Sequence, residues 1–416
     1  MPRMNGSFTS RAAGNKSWIW LVVLNAAVLS PIPPVSAQVS SRSVNAALLQ
    51  DAAQSIAAGD LHRAENELQS ILRISPDEYR ALNFLGIVRA QQRREVEAEK
   101  IFRQVIRRKP DFASAHVNLG LLYIQMNRPE DAVPELQEAL HLDPDRTDAA
   151  DALVGVWRGQ ARAAVSPGDT EKALSLLIQA RKLAADNPDV QFEFGMVALR
   201  MSLLPDALDG FQRTLKLRPN DPGATYGLGR TYMEMSRFDD ARQQFANYLA
   251  LRPNDASAHY ALGMALAALE HSDEARNEFE QSTKIAPVQT ESYCQLGRLD
   301  LNSGDLSSAE NYFRRVLDRD LKNSCALTGL GRVDFGKKDF TEAVDFLQRA
   351  IAVDASLREA HYYLGLTYAR MGKHEASEHQ LQIATQLEQE EVEKHRTIFR
   401  IEDPAKLDQA VSPTPQ

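Results

Sequence analysis

Side chains able to do covalent chemistry are few in this sequence, and their spacing does not group them. His374 and His379 bracket Glu375 and Glu378, but a five-residue separation points the two rings to different sides of a helix and matches neither zinc-protease spacing. Cys294 and Cys325 are the only cysteines, too few for a disulfide framework or a four-thiolate zinc site. No phosphate-cradling glycine loop, nucleophile elbow or paired-carboxylate site stands out. What recurs is arginine near an aromatic residue. Phe192, Tyr226, Tyr260, Phe335 and Tyr362 accompany Arg200, Arg230, Arg298, Arg332 and Arg370, with Asn302 beside them. A guanidinium grips carboxylates through two parallel hydrogen bonds. The chemistry on offer is therefore recognition rather than turnover, and the expectation is a non-enzymatic protein with no catalytic residue, metal or cofactor.

The elements that would carry these residues follow from the composition and its period. The chain has 416 residues, 25% of them charged and 44% hydrophobic, ordinary globular proportions that exclude a disordered or collagen-like chain. A formal charge of -8 argues against a nucleic acid as the main partner. Residues 1–16 hold Arg3, Arg11 and Lys16 and no acid, and an apolar run from Trp18 to Leu29 follows, broken only by Asn25. Pro31, Pro33 and Pro34 then stop a helix, and Val35-Ser36-Ala37 suits signal peptidase, so residues 1–37 read as a cleavable export signal. Twelve apolar residues fall short of the roughly 20 that span a bilayer, and a membrane tether arises only if the signal stays uncleaved. Cleavage after Ala37 leaves an acidic chain of net charge -11 with a short linker over 38–44. Its destination is periplasmic or extracellular, in the cell envelope.

Beyond the linker, Gly86, Gly120, Gly155, Gly195, Gly229, Gly263, Gly297, Gly331 and Gly365 recur at 34 residues, except for intervals of 35 and 40 around Gly155. Twelve residues after most of these glycines stands an alanine (Ala98, Ala132 and Ala207 among them), and four further on a Phe or Leu such as Phe102, Leu136 or Phe211. A proline keeps the same period (Pro76, Pro110, Pro144, Pro219, Pro253, Pro287) and ends a helix each time. Ala52, Ala64 and Leu68 fit one unit earlier. The pattern predicts two antiparallel helices per unit, small residues where their axes approach, and stacked units that bury what a single pair cannot. Neighbouring helices of this kind lie about 8–10 Å apart, which argues against a bond between Cys294 and Cys325 on adjacent units.

With Leu119, Gly120 and Tyr123 in HVNLGLLY, and Leu364, Gly365 and Tyr368 in HYYLGLTY, the sequence resembles the tetratricopeptide repeat family. The resemblance implies an all-α fold, a right-handed superhelical solenoid of stacked antiparallel helix pairs. Ten units are expected over about 45–78, 79–112, 113–147, 148–187, 188–221, 222–255, 256–289, 290–323, 324–357 and 358–391, with a capping helix end and disordered tail over 392–416. Six extra residues in the fourth unit read as a longer turn near Ser166-Pro167-Gly168-Asp169, and Pro134 should bend its helix. Asp300 and Asp334 replace the family's tyrosine, and Leu321 and Ala355 its proline, so the eighth and ninth units should pack less regularly.

By resemblance, the first helix of each pair lines a concave face that holds extended peptides, through positions 2, 5, 9, 12 and 13 of each unit. Those slots hold the arginines and aromatics named above in the C-terminal half, and Leu49, Ile56, Ile87, Val117, Leu121 and Ile124 in the N-terminal half. The alternative is that the arginines are solvated or paired with Glu234, Glu291 and Glu359, and that the tyrosines cover repeat interfaces. The carboxylate clamp of chaperone-binding relatives, a set of Lys, Asn and Arg, is not reproduced. The expected partners are proteins or peptides with acidic or C-terminal carboxylate segments, with no nucleic acid and no small-molecule cofactor. The function expected is an interaction scaffold in the cell envelope. The alternatives are an assembly component of an envelope machine, for polysaccharide export or outer-membrane assembly, and an auxiliary partner of a glycosyltransferase or peptidase.

Overall fold

The computed structural model describes residues 38–166 and 168–401, with side chains over 44–166 and 168–393. The expected export signal and the end of the chain lie outside the described residues. Twenty α-helices and no strand are present among the described residues, divided into two compact units between Pro219 and Asn220. In the first unit, α1 (Gln38–Ala57) pairs with α2 (Leu61–Ile74), α3 (Tyr79–Gln91) with α4 (Glu95–Arg108), α5 (Ala113–Gln125) with α6 (Pro129–Leu142), α7 (Thr147–Val165) with α8 (Thr170–Leu183), and α9 (Pro188–Arg200) with α10 (Leu204–Leu217). In the second, α11 (Pro222–Glu234) pairs with α12 (Phe238–Leu251), α13 (Ala256–Ala268) with α14 (Ser272–Ile285), α15 (Glu291–Ser303) with α16 (Leu306–Leu317), α17 (Ser324–Lys337) with α18 (Phe340–Val353), and α19 (Arg358–Arg370) with α20 (His374–Ile401). Each pair also packs on the next in its unit, so each unit is an all-α solenoid of stacked helix pairs. None of the described helices is long and apolar enough to cross a membrane.

The periodic residues explain the packing. A Cβ added to Gly86 would lie 2.5 Å from Phe102, and one on Gly229, Gly263 or Gly297 would lie 2.6–2.7 Å from the ring of Phe245, Phe279 or Phe313. The fully buried ring of each of these four second helices thus rests on bare backbone of the first. Each such ring, taken out of water, contributes about 1.5–3 kcal/mol. Second helices bury one stripe, as in Ala98, Phe102 and Val105 of α4. First helices are enclosed on more sides, and α5 buries every residue from Ala115 to Tyr123.

The link between the helices of each pair uses one residue in the left-handed conformation. Four are glycines (Gly59, Gly168, Gly304 and Gly372) and six are not: Arg93, Asn127, Ser202, Ser236, Glu270 and Lys338. Some second and some first helices are started by side-chain caps, with Asp60, Asp169, Asp221, Asp255, Asp305 and Asn323 accepting backbone N–H bonds. A further device, which the sequence expectations did not include, repeats across both units. His116, His259 and His361 each bridge a carbonyl six residues earlier (Pro110, Pro253, Ala355) to a side chain nineteen residues later (Glu135, Glu278, Gln380). These histidines tie the first helix of a pair to its second and to the preceding loop.

The fourth pair differs from the arrangement expected of it. Gly155 is exposed and nothing approaches its Cβ position, so it does not occupy the close-packing slot. Ala173 and Leu177 are buried, and the slot sixteen residues before Leu177 is Ala161, 2% exposed. The insertion therefore lengthens α7, which has 19 residues against 13 in α5, and the turn after it stays short. Two extra helical turns preserve the packing register, whereas a longer loop would have carried unpaired backbone. The α6 helix runs on through Pro134, with the same 14 residues as α4. Of the two atypical pairs, the eighth has a second helix of 12 residues, and its Asp300 is buried and paired with Arg276 at 2.5 Å. The ninth keeps a 14-residue second helix, and its Asp334 is buried, which raises the pKa of that carboxyl to about 6.

Candidate functional site

Of the eleven residues expected to form a peptide-binding face, Phe192 and Arg200 belong to the first unit and the other nine to the second. Phe192 packs at a tilt against Phe211 with ring centres 6.0 Å apart, and Arg200 is exposed at the last residue of α9. The apolar slots of this unit do not form an open surface: Ile56, Ile87, Val117 and Leu121 are 3%, 1%, 0% and 6% exposed, while Leu49 and Ile124 are half-buried beside them. Those residues are core, because neighbouring first helices close over them. Polar groups on the first helices of this unit are also engaged. Arg158 forms two bonds to Glu193, at 3.0 and 2.9 Å, and Asn118 donates to Asn83 across two first helices.

In the second unit, Tyr226 packs between Phe245 and Tyr248 with ring centres 5.4 and 5.1 Å away, and Tyr260 lies 5.9 Å from Phe279. Burial raises the pKa of both phenols. Phe335 contacts Phe340 and Tyr363. These three rings fill the space between helices, whereas Tyr362 is 44% exposed. Arg230 reaches Glu234 at 3.9 Å, and Arg370 is exposed at the end of α19.

The remaining residues converge. Arg332 on α17 bonds Glu359 of α19 at 2.6 Å, approaches Asn302 of α15 at 3.4 Å, and lies over the Tyr363 ring at 4.9 Å. Arg298 on α15 is exposed and forms no ion pair among the described residues. Both arginines line a hollow of about 170 Å³ with Ser324, Cys325, Thr328, Gly329, Leu357 and Glu359. Thr328 is 5% exposed, yet its hydroxyl has no partner. Helical threonines elsewhere, such as Thr225, Thr231 and Thr367, donate to the carbonyl four residues back, so Thr328 departs from the local rule. An unpaired hydroxyl costs about 1–3 kcal/mol when buried, and Thr328 is one of the residues that line the hollow.

Cys294 and Cys325 form a disulfide, with Cα atoms 6.4 Å apart. The expectation from helix spacing fails because first helices of successive pairs approach each other directly at this point, and a Cα separation below 7 Å is within disulfide reach. Cys294 is 4% exposed, while Cys325 is half-buried and lines the hollow. The sequence holds a signal for this, since the two cysteines fall on the inward slots of adjacent units. A second depression, about 470 Å³, lies on one face of α20 and includes His374 but not His379. Among the described residues no three metal-ligating side chains converge.

The family model described as the cilia and flagella-associated protein 70 C-terminal domain, of the tetratricopeptide-repeat type, matches residues 39–296, and a tetratricopeptide repeat model matches 294–357. No curated protein sequence matches the chain. Among solved structures, MamA from Desulfovibrio magneticus RS-1 is 22% identical, covering 41% of this chain and 97% of its own, with a TM-score of 0.40. YrrB, described as a tetratricopeptide-repeat protein with an unusual peptide-binding site, is 22% identical over 44% of this chain and 95% of its own, with a TM-score of 0.38. The Cut9–Hcn1 hetero-tetramer is 13% identical over 84% of this chain and 89% of the other, with a TM-score of 0.43.

Proposed function

The chain belongs to the tetratricopeptide-repeat family, represented by the cilia and flagella-associated protein 70 C-terminal domain model that matches more than half of it, and from that premise we propose a non-enzymatic scaffold that binds extended segments of partner proteins. The binding surface is the first-helix face of the second unit. The observation that carries this reading is the hollow between α15, α17 and α19, where Arg298 is unpaired, Arg332 is oriented by Glu359, and the Thr328 hydroxyl has no partner. Donors converging on one small cavity suit a carboxylate, from an acidic side chain or a chain terminus. A preformed helical surface leaves most of the ordering cost with the bound segment, so a modest contact area can still be selective.

The place of action is the cell envelope, after export through the segment at 1–37. The Cys294–Cys325 bond supports this reading, since disulfides persist in oxidising compartments. Mass measurement of the protein in a fractionated envelope should find an N-terminus at Gln38; a full-length cytosolic form would sink the export reading. For the binding surface, residues 38–416 and the Arg298→Ala variant, matched for helix content by circular dichroism, are used to capture partners from envelope extract. Partners held by the parent and lost by the variant support the hollow as the site. Equal retention by both assigns Arg298 to solvated surface and overturns the reading.

A further inference from the structure

We propose that the hollow is a redox-conditional anchor site: the Cys294–Cys325 disulfide forms one of its walls, and the site takes a carboxylate when the bond is closed and releases it when a dithiol opens the bond. The inference rests on the reading of the first-helix face as the ligand surface and adds what controls it. Three observations converge on it. Arg298 lies four residues after Cys294, and Thr328 and Arg332 lie three and seven after Cys325, so on each helix the cysteine and the candidate ligand groups share one face. The bond therefore sets the distance between the faces carrying Arg298 and Arg332. Cys325 itself lines the hollow, and the buried Thr328 hydroxyl beside it has no partner.

Accessibility decides how the bond would open. Cys294 is 4% exposed, so a reductant reaches Cys325 first. A thiolate of the dithiol attacks the Cys325 sulfur, the S–S bond breaks, and the Cys294 sulfur leaves as a thiolate and takes a proton. The second thiol of the reductant then displaces Cys325 from the mixed disulfide. The protein gains two thiols, and the reductant becomes a cyclic disulfide, having given up two electrons and two protons. The freed sulfurs must retreat to van der Waals separation. Cys294 is enclosed, so the Cys325 side chain takes up the displacement in a cavity of only about 170 Å³. Occupation by a carboxylate and an intruding thiol compete for the same space. By linkage, a bound ligand in turn protects the disulfide.

The test uses the full chain in three forms: oxidised, reduced with dithiothreitol, and as the Cys294→Ser/Cys325→Ser double variant. The probes are fluorescent pools of randomised octapeptides. One pool ends in a free carboxylate and one in an amide, and two amide-ended pools carry a fixed internal Glu or Gln. The oxidised chain should retain one carboxylate pool at least tenfold better than its neutral counterpart, and whichever pair shows the preference identifies the carboxylate's source. The preference should fall below threefold in the other two forms and return when the reduced chain is reoxidised with oxidised glutathione. Thr328→Val should reduce it several-fold in the oxidised form alone. Should the double variant lose helix content, reduction and reoxidation of the native sequence decide the matter. An undiminished preference in the reduced form overturns the redox control and leaves the binding surface standing. An oxidised chain that shows no preference for either carboxylate overturns the anchor site itself.

Discussion

The two units share one repeat register but use the inner slots of their first helices differently. In the first unit Ile56, Ile87, Val117 and Leu121 are sealed into the core, and Arg158 is held by Glu193. In the second, the equivalent region of α15, α17 and α19 carries an unpaired Arg298, an exposed Tyr362, a hydroxyl without a partner and a disulfide. The contacts that define the repeat, glycine beneath ring, are common to both. Stability and recognition are therefore assigned to different positions of the same 34-residue unit. A solenoid allows this because each pair needs only its neighbours for support.

The sharpest way to probe that separation is to injure the core of the second unit. Phe313 is fully buried and rests on Gly297, so Phe313→Ala should cost about 3–5 kcal/mol. Hydrogen exchange should show lost protection in α15–α18 while α3–α6 keep theirs; uniform loss through the chain would contradict local support. A matching injury in the first unit is Gly210→Ala. A Cβ there would lie 2.8 Å from the backbone of Gly195, where no side-chain adjustment gives relief, and about 1–3 kcal/mol of destabilisation is expected in urea unfolding.

Smaller effects separate the units by pH. Asp334 in the second unit has its pKa raised to about 6 by burial, with Lys337, Glu310, Arg314 and Asp339 as the charged groups acting on it. Between its ordinary pKa and 6 the folded state binds more protons than the unfolded state, so this group contributes stability that declines as pH rises through that window. Asp334→Asn should gain about 1 kcal/mol at pH 7, allowing for solvent screening, and nothing near pH 4. A gain unchanged between those pH values would show that burial of charge is not the cause. In the first unit, burial lowers the pKa of His116, but hydrogen bonds to Glu135 and to the Pro110 carbonyl outweigh it, and the net direction is upward. Its contribution is full below the unfolded imidazole pKa and is lost as pH rises through the folded value. Glu135→Gln, which copies the Gln380 partner of His361, should flatten thermal stability between pH 6 and 8 by less than about 1 kcal/mol.

The fold is largely legible because Gly, Ala and Phe or Leu mark helix contacts made within one pair, only sixteen residues apart. The exception is instructive. Gly155 stands near the expected place, although the intervals from Ala132 to Ala173 and from Leu136 to Leu177 both shift by seven and point to Ala161. Two registers on the second helix are better guides than one glycine on the first. The left-handed residues linking the helices of each pair leave little trace in the sequence because six of ten are not glycine. The histidine bridges do leave one, since His116, His259 and His361 each stand four residues before a repeat glycine, but what the histidines bond becomes evident only once the helices pack. The site is less legible. The spacing picks out Arg298, Arg332 and Asn302, which do converge, but it groups them with Tyr226, Tyr260 and Phe335, which pack between helices. Thr328 does stand on an inward slot, position 5 of its unit, but its missing partner is a property of the packed helices.

By itself the sequence determined the helix pairs, their stacking and the residues that must be small, because those depend on helical periodicity and on volume within a single unit. Only the tertiary structure decided which inward side chains are closed over and which remain free, and that two cysteines 31 residues apart meet. Those outcomes depend on how closely the first helices of successive pairs approach, a distance fixed by the packing of whole pairs and recorded in no single repeat.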